Sequence, residues 1–357
     1  MKTLIAAVAA GVLLAPAAAA EPARLALPEP TGPRAVGMTT LHLVDHDRPD
    51  PWVPEENREL MVSLFYPTED REGPRAEYVT PEESRLILAG LGVTGVPEGI
   101  LSTTRTHAVV DAEPLDRKLP LVVLSPGHSF SRSSLTGLAE DLASRGYAVA
   151  AVDHTYEASA ITFPDGRVTE CLICETKPDS ATVARNRATD VSFVVDELTR
   201  SGRIDPDRIA MVGHSMGGAA AAHAVREDPR IRAGVDMDGT FRPALTEDLD
   251  RPFLMLGADK HGRPGADETW DASWPHLTGW KRWLSVAGTA HSSFTDYSIL
   301  AEQLGIDVGG EPMTGDRTAQ ITRDYVAAFV DLHLRERPQH LLDGPSPRYP
   351  EVRFENP

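Results

Sequence analysis

Between positions 119 and 335 the chain alternates short apolar runs with longer segments whose apolar residues recur at helical spacing. That alternation predicts an α/β fold, a mostly parallel central sheet with helices on both faces. Leu119–Leu124, Tyr147–Val152, Asp207–Val212, Ile231–Met237, Phe253–Gly257 and Trp283–Ala287 read as strands. A helix is expected over Ser134–Arg145, with Leu135, Leu138, Ala139 and Leu142 on one face and Gly146 as its stop. Two more are expected at about Ser180–Ser201, through Val191, Val194, Val195 and Leu198, and at Thr318–Arg335, through Ile321, Tyr325, Val326, Phe329 and Leu332. Ahead of this regular part, Thr39–Val44 and Glu59–Tyr66 read as strands around the Pro-rich loop 47–57.

The ends and interruptions of the pattern divide the chain. Residues 1–20 carry Lys2, an apolar run and Ala18-Ala19-Ala20, the design of a cleaved export signal, so the mature chain is expected to be secreted or periplasmic. Residues 21–36, rich in Pro and Ala, read as a flexible lead-in. A single domain is expected over 37–340, with excursions at 77–107 and 154–178 near the site, and then a C-terminal tail, 341–357. The 357 residues carry 53 acids against 35 basic groups, a net charge of −18. Repulsion excludes nucleic acid as a partner and disfavours anionic membranes, so a neutral or zwitterionic small molecule or lipid is the expected partner and no stable membrane insertion is expected. Cys171 and Cys174, the only cysteines, are expected to form a small-loop disulfide; zinc or redox use of C-x-x-C lacks a second ligand pair and a strand-to-helix setting.

Candidate chemistry centres on Gly213-His214-Ser215-Met216-Gly217, between the apolar run ending at Val212 and the helical run Ala219–Ala222. A serine on a sharp strand-to-helix turn needs glycine two residues to either side, which is the design of the α/β-hydrolase nucleophile elbow. Its hydroxyl needs a histidine to take the proton and a carboxylate to orient that histidine, in the order Ser, acid, His. His291, in a loop of small residues after the last strand, is the expected base; His276 and His333 fall in an excursion and inside a helix. For the acid, Asp238 and Asp259 both end strands and both reach, while Asp236 should lie deeper. The oxyanion hole is expected from the N–H groups of Met216 and of His128, in the loop Ser125-Pro126-Gly127-His128. His154 could border the pocket or bond a neighbouring loop. Trp270, Trp274, Trp280 and Trp283 could form an apolar rim or fill the space under a loop. No cofactor or metal is required.

Together, Leu121–His128, Ala148–His154, Gly213–Gly218, Ile231–Asp238 and His291–Asp296 resemble the plasma-type platelet-activating factor acetylhydrolases and their bacterial lipase and esterase relatives, within the α/β-hydrolases. The resemblance implies a calcium-independent ester hydrolase acting on short or modified acyl groups, with Asp238 rather than Asp259 as the acid. It departs at Ser125-Pro126-Gly127, where the family usually has Ser-His-Gly. The expected activity is that of a serine carboxylesterase or lipase working through an acyl-enzyme. Its rivals are a polyester hydrolase or serine peptidase on the same fold, and an inactive secreted binding protein.

Overall fold

A computed structural model describes residues 24–307 and 313–357. The expected export signal at 1–20 lies outside the described residues.

Two long antiparallel strands come first, β1 (Ala35–Pro49) and β2 (Asn57–Thr68), in a register that sets Leu41 opposite Val62. Helix α1 (Pro81–Gly90) starts with a reciprocal cap: the Thr80 hydroxyl accepts from the Glu83 N–H and the Glu83 carboxylate accepts from the Thr80 N–H. A two-residue strand, β3 (Val109–Val110), is followed by β4 (Leu119–Ser125), α2 (Thr136–Ser144) and β5 (Ala148–His154). The excursion after β5 holds the hairpin β6 (Ile161–Thr162) and β7 (Val168–Thr169) and the short helix α3 (Leu172–Thr176), and α4 (Ser180–Arg200) returns the chain to the sheet. Then come β8 (Ile204–His214), α5 (Met216–Glu227), β9 (Ile231–Met237), β10 (Phe253–Ala258), α6 (Glu268–Ser273), β11 (Lys281–Val286), α7 (Asp296–Leu304), α8 (Gly315–Arg335) and β12 (Val352–Phe354).

Ten of these strands form one sheet in the order β12-β11-β10-β9-β8-β4-β5-β2-β1-β3, parallel from β5 through β11. The two-residue side-chain period splits each central strand between two cores. Val122 and Leu124 of β4 face Leu135, Leu142 and Phe329 on the α2 and α8 side. Leu119, Leu121 and Val123 face Val191, Val194 and Ala220 on the α4 and α5 side. Because both faces are covered, the central strands are apolar throughout, which made them legible as unbroken runs.

Two expectations change. The described part of the lead-in is packed rather than flexible: Leu25 and Leu27 are buried with Ile87, Leu88 and Leu101, and the Leu27 N–H donates to the Arg105 carbonyl. The tail is also built in, since β12 pairs antiparallel with β11 and covers what would otherwise be an open sheet edge. Of the two readings of the tryptophans, the structure takes the filling one: Trp270 and Trp283 are fully buried, edge-to-face at 5.5 Å, and the partly buried Trp274 and Trp280 pack against the core.

Candidate active site

Ser215 sits between β8 and α5 at φ 54°, a strained conformation held because its neighbours permit nothing else. A Cβ on Gly213 would overlap the Gly217 backbone, and one on Gly217 would overlap the Ser125 carbonyl. The helix therefore starts directly beneath the serine and against the β4 loop. The Ser215 Oγ lies 2.9 Å from His291 Nε2, and His291 Nδ1 lies 2.7 Å from Asp238 Oδ2. His291 is half exposed, whereas Asp238, at the end of β9, is buried. Burial pushes the Asp238 carboxyl up, but the hydrogen bonds from His261 and His291 outweigh it and leave it below its usual range. Asp259 does not reach His291; it is paired with Arg263 and Arg353 and accepts from the Gly288 N–H. Asp236 lies deeper, fully buried and accepting from the Gly239 N–H, and burial holds its carboxyl well above the usual range.

The loop after β4 lies against the elbow: a Cβ on Gly127 would touch the His214 ring and Ser215. No hydrogen bond from the N–H of His128 or of Met216 is found among the described residues. The missing Ser-His-Gly is compensated from below. Arg187 of α4, buried, donates to the Pro126 and Gly127 carbonyls and pairs with Glu157 at 2.6 Å. Beside it Ser125 Oγ is 2.9 Å from His154 Nε2, and His154 Nδ1 is 2.8 Å from Asp190 Oδ2. This chain repeats the Ser-His-Asp pattern, but all three residues are sealed, and Asp190 is held by Arg58 and Arg48. His154 thus bonds the end of β4 and helix α4, rather than a neighbouring loop, and does not line the pocket. Cys171 and Cys174 form a disulfide, with Cys174 Sγ 3.5 Å from His128 Nε2. Among the described residues, these three are the only group placed to share a metal ion, and the two sulfurs are committed to each other.

A pocket of about 490 Å³ opens in front of Ser215, lined by Met216, Thr240, Arg242, Lys260, His261 and His291 among others. With this geometry in view, comparison with known proteins is direct. Residues 112–263 match the PET hydrolase-like family model, and residues 20–171 match that of platelet-activating factor acetylhydrolase, isoform II. A probable 1-alkyl-2-acetylglycerophosphocholine esterase of Arthroderma benhamiae is 29% identical over 93% of this chain and 94% of its own length. The Cavia porcellus platelet-activating factor acetylhydrolase is 24% identical over 78% of this chain and 70% of its own. A solved structure, a ferulic acid esterase from Streptomyces cinnamoneus, superposes with a TM-score of 0.85 at 46% identity, covering 93% of this chain and 99% of that one. The chain belongs with this ferulic acid esterase to an esterase family of the α/β-hydrolase fold, and is similar over part of its length to the platelet-activating factor acetylhydrolases.

In this esterase, sequence reading missed two supports. His214, inside the elbow motif, donates from Nε2 to the His291 carbonyl at 2.8 Å and stacks on Phe130. Burial, then the nearby His291, drop its pKa to about 4. His261 binds the second oxygen of Asp238, with Nδ1 2.8 Å from Oδ1. It follows β10 in a loop whose only sequence signal was proximity to Asp259. The tryptophans serve these same loops, because the Trp270 indole donates to the Gly239 carbonyl and that of Trp283 to the Gly262 carbonyl at 2.7 Å.

Proposed function

We propose that the chain is an exported serine esterase for short, soluble carboxylic esters. The observation that carries this reading is the continuous Ser215–His291–Asp238 hydrogen-bonded line at the mouth of the pocket. Ser215 Oγ attacks the ester carbonyl while His291 takes its proton. The developing oxyanion is held by the His128 and Met216 N–H groups, and His291, oriented by Asp238, returns the proton to the leaving alcohol. Water then repeats the sequence to release the acyl group from Ser215. Residues 1–20 and the disulfide support export, and no helix among the described residues is long and apolar enough to cross a membrane.

The preference for small soluble esters over lipid aggregates or polymer rests on the surface. Leu91 is the only large hydrophobic side chain exposed among the described residues, so no apolar platform surrounds the pocket. Similarity to the PET hydrolase-like model and, at 28% identity over 39% of this chain, to cutinase est1 of Thermobifida alba keeps polyester as the second reading. The test is hydrolysis of p-nitrophenyl esters of increasing acyl length, with Ser215→Ala as control. Activity that falls with acyl length and vanishes in the control supports the proposal. Retention on long acyl chains would move the reading to a lipase or polyester hydrolase, and absence of activity on every ester would return it to a binding protein.

A further inference from the structure

His261 stands where the mechanism leaves one oxygen of the acid unaccounted for. Asp238 offers Oδ2 to His291, while its Oδ1 accepts from the Ala258 N–H at 2.7 Å and faces His261 Nδ1 at 2.8 Å. The other nitrogen of that ring, Nε2, lies 2.8 Å from Asp267 Oδ2. A neutral imidazole has one N–H, so it would turn a bare lone pair toward one of the two carboxylates. Two carboxylate partners at this distance therefore select the doubly protonated ring.

The surroundings favour the same state. Asp267 caps α6, accepts from the Thr240 hydroxyl at 2.6 Å and sits at about pKa 2, burial being outweighed by Thr240, Thr269 and His261. From α6 the edge of Trp270 packs on His261 at 5.4 Å. Buried Asp236 lies beneath on β9, and Lys260 and Asp259 flank in the same loop, Asp259 already neutralised by Arg263 and Arg353. Arg242 lines the far side of the pocket. Burial lowers the His261 pKa, but Asp238 and Asp267 override it and raise it to about 9.

We propose that His261 is a positioning residue of this hydrolytic site: a standing imidazolium, clamped between Asp267 and Asp238, that orients the Asp238 carboxylate and shares its charge with His291. The consequence is that the carboxylate cannot rotate away from His291 while Oδ1 is held, and that its charge is divided between two imidazoles.

The inference rests on the Ser215 reading above, and its test separates the two. kcat/KM for p-nitrophenyl acetate is measured from about pH 5 to about 10.5 in the wild type, His261→Gln and Asp267→Asn, each first titrated with a serine-directed organophosphate. The wild type should lose activity as His261 gives up its proton near pH 9. In His261→Gln that alkaline loss should disappear and the plateau should fall about tenfold, as Asp238 loses the clamp on its Oδ1. In Asp267→Asn the alkaline loss should begin about one unit lower or more, and this variant decides the matter should His261→Gln not fold. Profiles that keep the wild-type shape and differ only in height would overturn the proposal and reduce His261 to packing. Failure of the wild type to take up the organophosphate would instead overturn the Ser215 reading.

Discussion

The two aspartates that spacing alone left level, with only the family resemblance favouring Asp238, are separated by what surrounds them. Asp238→Asn should lower kcat by on the order of 10³–10⁴, because the amide cannot fix the His291 tautomer or stabilise its cation. Asp259→Asn, which weakens two partly exposed ion pairs and keeps an amide oxygen for the Gly288 N–H, should change kcat by less than about twofold, and steady-state kinetics of the two variants checks both. His214 gives a pH-dependent prediction. Its folded-state pKa of about 4 lies below the ordinary 6.5, so the unfolded chain binds a proton that the native state refuses across that interval. The stability that this histidine contributes is complete above pH 6.5 and is lost as pH falls through 4. His214→Phe does not titrate, so the wild type should lose up to about 3 kcal/mol relative to the variant between pH 6.5 and 4. Urea unfolding at a series of pH values measures the difference. Neither His214 nor His261 was legible as a support, because their partners, the His291 carbonyl and Asp267, are 77 and 6 residues away and nothing in the local pattern names them.

At the scale of elements, the elbow and the β4 loop behave as one unit. Gly217→Ala would drive a methyl into the Ser125 carbonyl; it should unfold the turn, costing several kcal/mol and abolishing activity, as thermal melting and ester hydrolysis would report. Arg187 acts from α4 on the same loop. Arg187→Met should leave KM near its wild-type value while kcat falls about tenfold, since the Pro126 and Gly127 carbonyls lose the donors that hold the His128 N–H in line. It should also destabilise the fold, by about 3 kcal/mol at most, because buried Glu157 keeps only the Trp52 indole and the more distant Arg58, so the assay belongs well below the melting temperature. Equal kcat in wild type and variant would detach α4 from catalysis. The elbow was readable because its glycines, strand and helix are contiguous. The brace was not, because Arg187 looks like any polar residue on a helix until α4 is laid against the loop.

At the scale of the molecule, β12 closes the β11 edge through its backbone ladder and through side chains that reach inward. The Asn356 carbonyl oxygen accepts from the Trp283 N–H at 2.9 Å, and the Glu355 carboxylate accepts from the Ser285 hydroxyl at 2.6 Å. Deleting residues 350–357 should expose that edge, lower the melting temperature by several degrees and promote association, readable by light scattering. An unchanged melting temperature would mean that the edge strand is dispensable.

Periodicity along the chain determined the parallel sheet, its helices and the elbow, because those features depend on neighbours within a few residues. The order serine, acid, histidine also narrowed the chemistry to a few positions. Only the tertiary structure decided that Asp238 and not Asp259 meets His291, since both end parallel strands and the choice depends on which neighbouring strand end lies across from the loop after β11. It likewise decided that the tryptophans are core, that the described part of the lead-in and the last segment are packed, and that Asp238 lies between two histidines. Those outcomes depend on contacts between segments distant in sequence, and a hydrogen bond across such a separation leaves no local trace in the pattern of apolar and polar residues.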